Sequence, residues 1–291
     1  MILVSIVQVI DDFSEYELLD LNDGRKLESW NGVILDRPDP EVIWDNLSDK
    51  KWHSDAKYIR SKDGGGMWEN KNAPDSWQIH YRKLTFNLKL MGFKHTGLFP
   101  EQAVNWNVLI DTIKASKREV KVLNLFAYTG GASVACLSAG ASVVHVDSSR
   151  GMVDWAKENV KASGLENAKI RYIVDDVKKF VKREINRGNK YDIIIMDPPS
   201  FGRGASGEVW SIEKDLFNLV SDCSKLLSDD PQMFLINSYT TGLSMSVLED
   251  ILKLTVSSKF NGIIEKDELG LKVKNSNLVL PCGIFARWTS N

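Results

Sequence analysis

Tyr191-Asp192-Ile193-Ile194-Ile195-Met196 runs straight into Asp197-Pro198-Pro199-Ser200-Phe201. A short run of β-branched residues without alternation reads as a strand buried on both faces, as in a parallel sheet covered by helices. The neighbouring stretches repeat the pattern. Strands are expected at Lys121–Phe126, Ser142–Val146, Ile170–Val174 and Met233–Ile236. Helices are expected at Gly131–Ala139, Ser149–Ser163, Val177–Asn186, Ile212–Leu227 and Ser246–Leu254. The second of these should open on a Ser cap and close at Gly164. A strand pair near Asn261–Lys266 and Leu278–Arg287 ends the series. Five βα repeats predict an α/β fold with a Rossmann-like sheet and an antiparallel C-terminal strand.

In such sheets ligands bind beyond the carboxyl ends of the strands, and the motifs cluster there. The first strand leads into Phe126-Ala127-Tyr128-Thr129-Gly130-Gly131, where glycine allows close backbone approach ahead of a helix N-terminus. The spacing is not G-x-G-x-x-G, which speaks against a dinucleotide and a nicotinamide dehydrogenase. The second strand ends at Asp147-Ser148, where a carboxylate can take two ribose hydroxyls or cap the next helix. The third ends at Asp175-Asp176; either carboxylate could accept from an exocyclic amine, and Asp176 is preferred. The fourth ends at Asp197-Pro198-Pro199-Ser200-Phe201. Two prolines remove two N–H donors and stiffen the turn, so its carbonyls can face a substrate beside Asp197. Phe201 offers a face for stacking a base.

These motifs, with Val122–Gly131 as the first, resemble motifs I to IV of class I S-adenosylmethionine-dependent methyltransferases. The sequence is most similar to the bacterial large-subunit 23S ribosomal RNA methyltransferases and their uncharacterised relatives. His95-Thr96-Gly97-Leu98-Phe99-Pro100-Glu101-Gln102 resembles a cofactor-side segment, with Gln102 in the matching place. The resemblance implies S-adenosyl-L-methionine as cofactor. It implies that Phe126, Ala127, Tyr128, Thr129 and Gly130 line the methionine moiety, that Asp147 and Ser148 lie at the ribose and Asp175 and Asp176 at the adenine, and that Asp197, Pro198, Pro199 and Phe201 present the acceptor. No metal is implied, and His53, His80, His95 and His145 show no paired metal spacing. RNA, ribosomal RNA in particular, is the implied partner. Thr240 stands where family members that methylate cytosine C5 carry a Cys nucleophile. An alcohol is a much poorer nucleophile than a thiolate, so direct transfer to a base nitrogen is expected. Gly202–Trp210 follows the fourth motif as a glycine-rich loop, with Arg203 for a phosphate and Trp210 as a stacking or packing residue.

The 291 residues exceed one domain at ~150 residues each. Residues 1–93 read as a smaller β-rich domain and a candidate substrate-recognition module, with residues 94–291 as the methyltransferase domain. Gln78–Leu90 is its best strand, and Asn22-Asp23-Gly24 and Asp63-Gly64-Gly65-Gly66 are turn signals. Five of the nine Trp (Trp30, Trp44, Trp52, Trp68 and Trp77) fall here, which suggests recognition by shape and aromatic contact, or simply core. Net charge is −2, so neither electrostatic attraction to RNA nor a basic arm follows from the totals. That balance keeps a small-molecule or protein methyltransferase open, and a non-catalytic RNA-binding protein with the same fold is a third reading. Cys136, Cys223 and Cys282 lack disulfide or zinc spacing. The apolar start lacks the basic flank and cleavage site of a signal peptide, and no run reaches ~18 apolar residues, so a cytoplasmic protein is expected.

Overall fold

A computed structural model describes residues 7–45, 51–61, 65–203, 207 and 209–291. The apolar start at 1–6, the turn residues Asp63-Gly64 and loop residues 204–206 and 208 lie outside the described residues, as does the side chain of Arg203. The chain packs into two units, one of residues 105–269 and 283–291, the other of residues 7–104 and 270–282.

The first unit is built on a sheet whose strands are β1 (Lys121–Leu125), β2 (Ser142–Asp147), β3 (Ile170–Val174), β4 (Ile193–Met196), β5 (Met233–Ser238), β6 (Gly262–Lys272) and β7 (Val279–Ser290). Their spatial order is β3-β2-β1-β4-β5-β7-β6. Strands β1 to β5 are parallel, and β7 runs antiparallel to β5. The helices are α1 (Ala103–Ala115), α2 (Gly131–Ser138), α3 (Arg150–Ala162), α4 (Val177–Arg187), α5 (Ile212–Ser224) and α6 (Met245–Leu252). Every residue of β4 and β5 is buried, as a strand covered on both faces requires. The chain builds outward from β1 through β2 to β3, then returns to place β4 on the other side of β1. The topological switch point therefore lies between β1 and β4, and it is outside the carboxyl ends of such strands that open α/β sheets bind ligands.

Helix ends follow their local chemistry. Asp176 caps α4 by accepting the Lys179 N–H at 2.9 Å, and Gly188 closes it in the left-handed region at φ 70°. The expected Ser cap of α3 is different: Ser149 holds the cap position, but its side chain makes no capping bond. Its own N–H donates to Asp147 Oδ1 at 2.9 Å instead.

The second unit is β-rich, with a five-stranded sheet of Tyr16–Asn22, Arg25–Trp30, Val33–Pro38, Ala56–Arg60 and Gly66–Asn70, and a hairpin of Trp77–Tyr81 and Leu84–Leu88. The β stretch expected over Gln78–Leu90 forms two strands. Arg82 sits in the left-handed region at φ 53° and turns the chain between them. Packing also divides the chain elsewhere than at residue 93, because residues 270–282 return to the β-rich unit. There Val273 bridges Leu18, and Lys274 N–H donates to the Leu18 carbonyl at 2.7 Å.

The tryptophans of this unit are knitted into its packing. Trp30 is fully buried, and the indole N–H groups of Trp52, Trp68 and Trp77 donate to Asp20 Oδ2, Met91 O and Trp30 O. Beneath them Glu28, wholly buried, receives Arg37 through both oxygens at 2.6 and 2.7 Å and Tyr16 Oη at 2.9 Å. Burial alone would raise the Glu28 carboxyl; Arg37 and Lys26 overcome it and hold it at about 2.

Candidate active site at the carboxyl ends of the sheet

The loop after β1 is held in an unusual shape. Phe126 and Tyr128 have φ of 53° and 51°, and Gly130 has 86°. Non-glycine residues in this region carry strain that their surroundings must balance. The balancing contacts are identifiable. Ala127 N–H donates to Val146 O at 3.0 Å, and Asn159 Nδ2 of α3 donates to Thr129 O at 2.9 Å. Tyr128 N–H donates to Asp147 Oδ2 at 2.8 Å. Asp147 thus receives one backbone N–H on each oxygen, from Tyr128 and from Ser149, and joins the loop after β1 to the loop after β2. Burial raises its carboxyl above the usual range against those two bonds. Each oxygen keeps a further lone pair for a hydroxyl donor.

Under the loop the packing excludes larger residues. A Cβ on Gly130 would lie 3.0 Å from Ala156 Cβ, and one on Gly131 would lie 2.8 Å from Trp106 Cζ2. Buried His145 meets Ser133 Oγ through Nδ1 at 3.0 Å, and burial holds its imidazole down to about 4. It is a packed, neutral residue, and so is not a proton carrier near pH 7.

Next along the edge, Asp175 N–H donates to Asp147 O at 3.1 Å, while the Asp175 side chain pairs with Arg183. Ser148 is exposed.

The Asp197–Phe201 loop leaves β4 on the other side of the switch point. Asp197 is half-buried, and Phe201 is 57% exposed. The loop is pinned at three points. Trp210 Nε1 donates to Pro199 O at 2.6 Å, Ile212 N–H donates to Ser200 O at 3.0 Å, and Ser200 Oγ lies 2.7 Å from Thr240 Oγ1. Trp210 is 6% exposed, so it is a packing anchor. It sits on a hairpin of Phe201–Arg203 and Val209–Ser211 that folds back over Pro199. Its ring also lies 5.1 Å from that of Phe126.

The structure therefore brings the Phe126–Gly130 loop, Asp147, Ser148, Asp175, Asp176 and the Asp197–Phe201 loop to one end of one sheet. Gln102 belongs to the other unit, buried in the turn Pro100–Gln102. Sequence reasoning missed Asn159 and the Ser200–Thr240 contact, because those partners lie 30 and 40 residues away. It also missed a buried relay under the end of β5, where Asn105 donates to Asn237 Oδ1 at 2.9 Å and accepts from Arg287 at 3.1 Å. The cysteines lie elsewhere: Cys136 in α2, Cys223 in α5 and Cys282 in the β-rich unit, each with its thiol pushed up chiefly by burial. Among the described residues no group of three or more His, Cys, Asp or Glu could hold a metal ion, and no helix is long and apolar enough to cross a membrane.

Known proteins share these features. A crystal structure of an S-adenosylmethionine-dependent methyltransferase from Agrobacterium tumefaciens is 34% identical, superposes with a TM-score of 0.93, and matches 99% of this chain and 94% of its own. Ribosomal RNA large subunit methyltransferase K/L of Shewanella frigidimarina is 37% identical over 155 residues, 53% of this chain and 21% of that protein. Ribosomal RNA large subunit methyltransferase K of Neisseria meningitidis is 31% identical over 182 residues, 62% of this chain and 49% of that protein. The chain thus spans half or less of the length of these two curated relatives. Residues 44–260 match the family profile described as S-adenosylmethionine-dependent methyltransferase. The donor set fits that cofactor, with a lone-pair-bearing carboxylate on β2 beside a strained loop leading into a helix N-terminus. The chain belongs to the S-adenosylmethionine-dependent methyltransferase family.

Proposed function

We propose that this enzyme methylates RNA, ribosomal RNA as its substrate class, at a base nitrogen and by direct transfer. The observation that carries the reading is the meeting of the Phe126–Gly130 loop, Asp147 and the Asp197–Phe201 loop across one switch point. The cofactor supplies an electrophilic methyl group on a sulfonium. Phe126 to Gly130 surround its methionine end, and Asp147, beside Ser148, accepts from the ribose hydroxyls. Asp176 is the preferred acceptor for the adenine amine, with Asp175 beside it. Asp197 and the Pro198 carbonyl accept from the amino or ring N–H of the target base, and Phe201 stacks on its face. Orientation of this kind is worth far more than the individual bonds, because it turns a collision into a held geometry.

Two observations support nitrogen as the target. Thr240 uses its hydroxyl on Ser200, and Cys136 and Cys223 lie within helices α2 and α5. The curated relatives named above act on ribosomal RNA, which supports the substrate class. The β-rich unit, drawn at residues 1–93 from sequence, is assigned to substrate choice.

The test is transfer from labelled S-adenosylmethionine into RNA from cells lacking this protein, followed by nucleoside mass spectrometry. A labelled N-methyl nucleoside is expected; a C-methyl product or unlabelled RNA overturns the reading. Asp197→Ala should abolish transfer while S-adenosylhomocysteine still binds, and full turnover in that variant refutes its role. The net charge of −2 favours a second reading, a small-molecule or protein methyltransferase. Filter binding across a salt series separates the two, since RNA binding should weaken steeply with salt.

A further inference from the structure

Trp210 touches both halves of the candidate site. Its indole N–H takes the Pro199 carbonyl at 2.6 Å, and its ring faces Phe126 at 5.1 Å and 54°. The strand that carries it is held from outside: Lys178 Nζ of α4 donates to the Val209 carbonyl at 3.1 Å and pairs with Asp215 of α5 at the same distance. That nitrogen also lies 5.9 Å from the Trp210 ring centroid. Trp210 is thus a fixed post and not a loop-tip residue.

The two contacts act on the two soft spots of the site. Pro198 and Pro199 have φ set by their rings, so the peptide after Pro199 turns mainly through ψ. A donor clamped on the Pro199 carbonyl removes that freedom and anchors the turn that follows Asp197 and Pro198. Phe126, at φ 53°, is in a conformation that its own backbone disfavours and neighbours must hold. The Trp210 ring is one such neighbour.

We propose that Trp210 is a positioning residue that links the cofactor loop to the acceptor loop, bracing the first through its ring and the second through its indole N–H. The proposal rests on the assignment of those two loops made above.

The experiment compares Trp210→Phe and Trp210→Leu in the full chain. S-adenosylhomocysteine affinity is measured by calorimetry, and transfer to bulk RNA at saturating cofactor is measured by label. Trp210→Phe keeps a ring against Phe126 but loses the N–H. Its affinity should stay within about twofold of wild type while kcat falls about tenfold, the cost of one lost hydrogen bond to a positioned group. Trp210→Leu loses both contacts, so affinity should fall about fivefold as well. Wild-type kcat in a folded Trp210→Phe variant overturns the acceptor half of the proposal. Wild-type affinity in a folded Trp210→Leu variant overturns the cofactor half. If the wild-type protein labels no RNA, the RNA reading fails, and the link is then judged on affinity alone: loss in Trp210→Leu with retention in Trp210→Phe supports it, and equal affinities overturn it. If Trp210→Leu fails to fold, Trp210→Phe is judged alone, with a fall of about tenfold in kcat supporting the proposal and wild-type kcat overturning it.

Discussion

Replacing Asp147 by Asn tests the carboxylate at the centre of the site. The change is nearly isosteric, so it alters hydrogen bonding and charge without opening a cavity. Both carboxylate oxygens accept backbone N–H groups, from Tyr128 at 2.8 Å and Ser149 at 2.9 Å. An amide can accept only one of them, and its NH₂ must face the other donor. A hydrogen bond to a charged group contributes ~1.5–3 kcal/mol, so losing one and weakening the other costs on the order of 3 kcal/mol. Burial pulls the other way, because it already disfavours the Asp147 charge and raises the carboxyl's pKa. The neutral amide is relieved of that penalty, which leaves a net loss of ~1–2 kcal/mol. At ~2–4 °C per kcal/mol for a unit of this size, the melting temperature should fall by about 2–8 °C without ligand. The cofactor effect is separate and larger. One of the two acceptors for the ribose hydroxyls has become a donor, so S-adenosylhomocysteine affinity should fall at least ~tenfold. Scanning fluorimetry without ligand reads the first effect, and titration calorimetry reads the second. An unchanged melting temperature refutes the idea that Asp147 staples the two loops. An affinity within twofold of wild type refutes its ribose role, whatever the melting curve does.

Gly131→Ala should destabilise the chain by ~1–3 kcal/mol, because its Cβ would lie 2.8 Å from Cζ2 of Trp106, which is buried. Chemical denaturation checks this, and a change under ~0.5 kcal/mol means that Trp106 gives way freely. The Glu28 carboxyl is held at about 2, well below a free glutamate near ~4.3. Because its folded pKa is depressed, its stabilisation is intact above about pH 4.3 and is lost as pH falls toward 2. The melting temperature should drop across that window, and Glu28→Gln should flatten the drop while costing ~3 kcal/mol at neutral pH by leaving Arg37 without its carboxylate. An acid profile identical in the two proteins counts against that reasoning.

Legibility differed between the two units for physical reasons. The sheet of the first unit was readable because β4 and β5 are buried on both faces and leave uninterrupted apolar runs, with β4 stopping at Asp197 as β2 stops at Asp147 and β3 at Asp175-Asp176. Those stops are the site, so Asp147, Asp176 and Asp197 were found together with the strands that carry them. The β-rich unit hid its hairpin because the turn uses Arg82, a residue with no turn signature. It also buries Glu28, Asp36 and Arg37, which hydropathy places outside. Of its tryptophans, expected either in recognition or in the core, Trp52, Trp68 and Trp77 are bound into the packing of the unit by their N–H groups, and Trp30 is buried in its core. Trp210 was visible as a residue but not as a link, since no local pattern announces a bond to a carbonyl eleven residues back.

The return of residues 270–282 to the β-rich unit bears on how the molecule comes into being. The bridge between Leu18 and Val273 joins the first strand of that unit to chain made about 250 residues later. During synthesis the β-rich unit is therefore begun first and finished after the whole parallel sheet has been made. Such distant closures are slow, because the ends must be brought together before their contacts stabilise them. No single cut separates the two units. Excision of residues 1–93 would leave the segment from Gly270 to Cys282 without its partners, and truncation before Gly270 would strip a strand from each unit at once. Loss of stability at one end of the chain should thus be felt at the other.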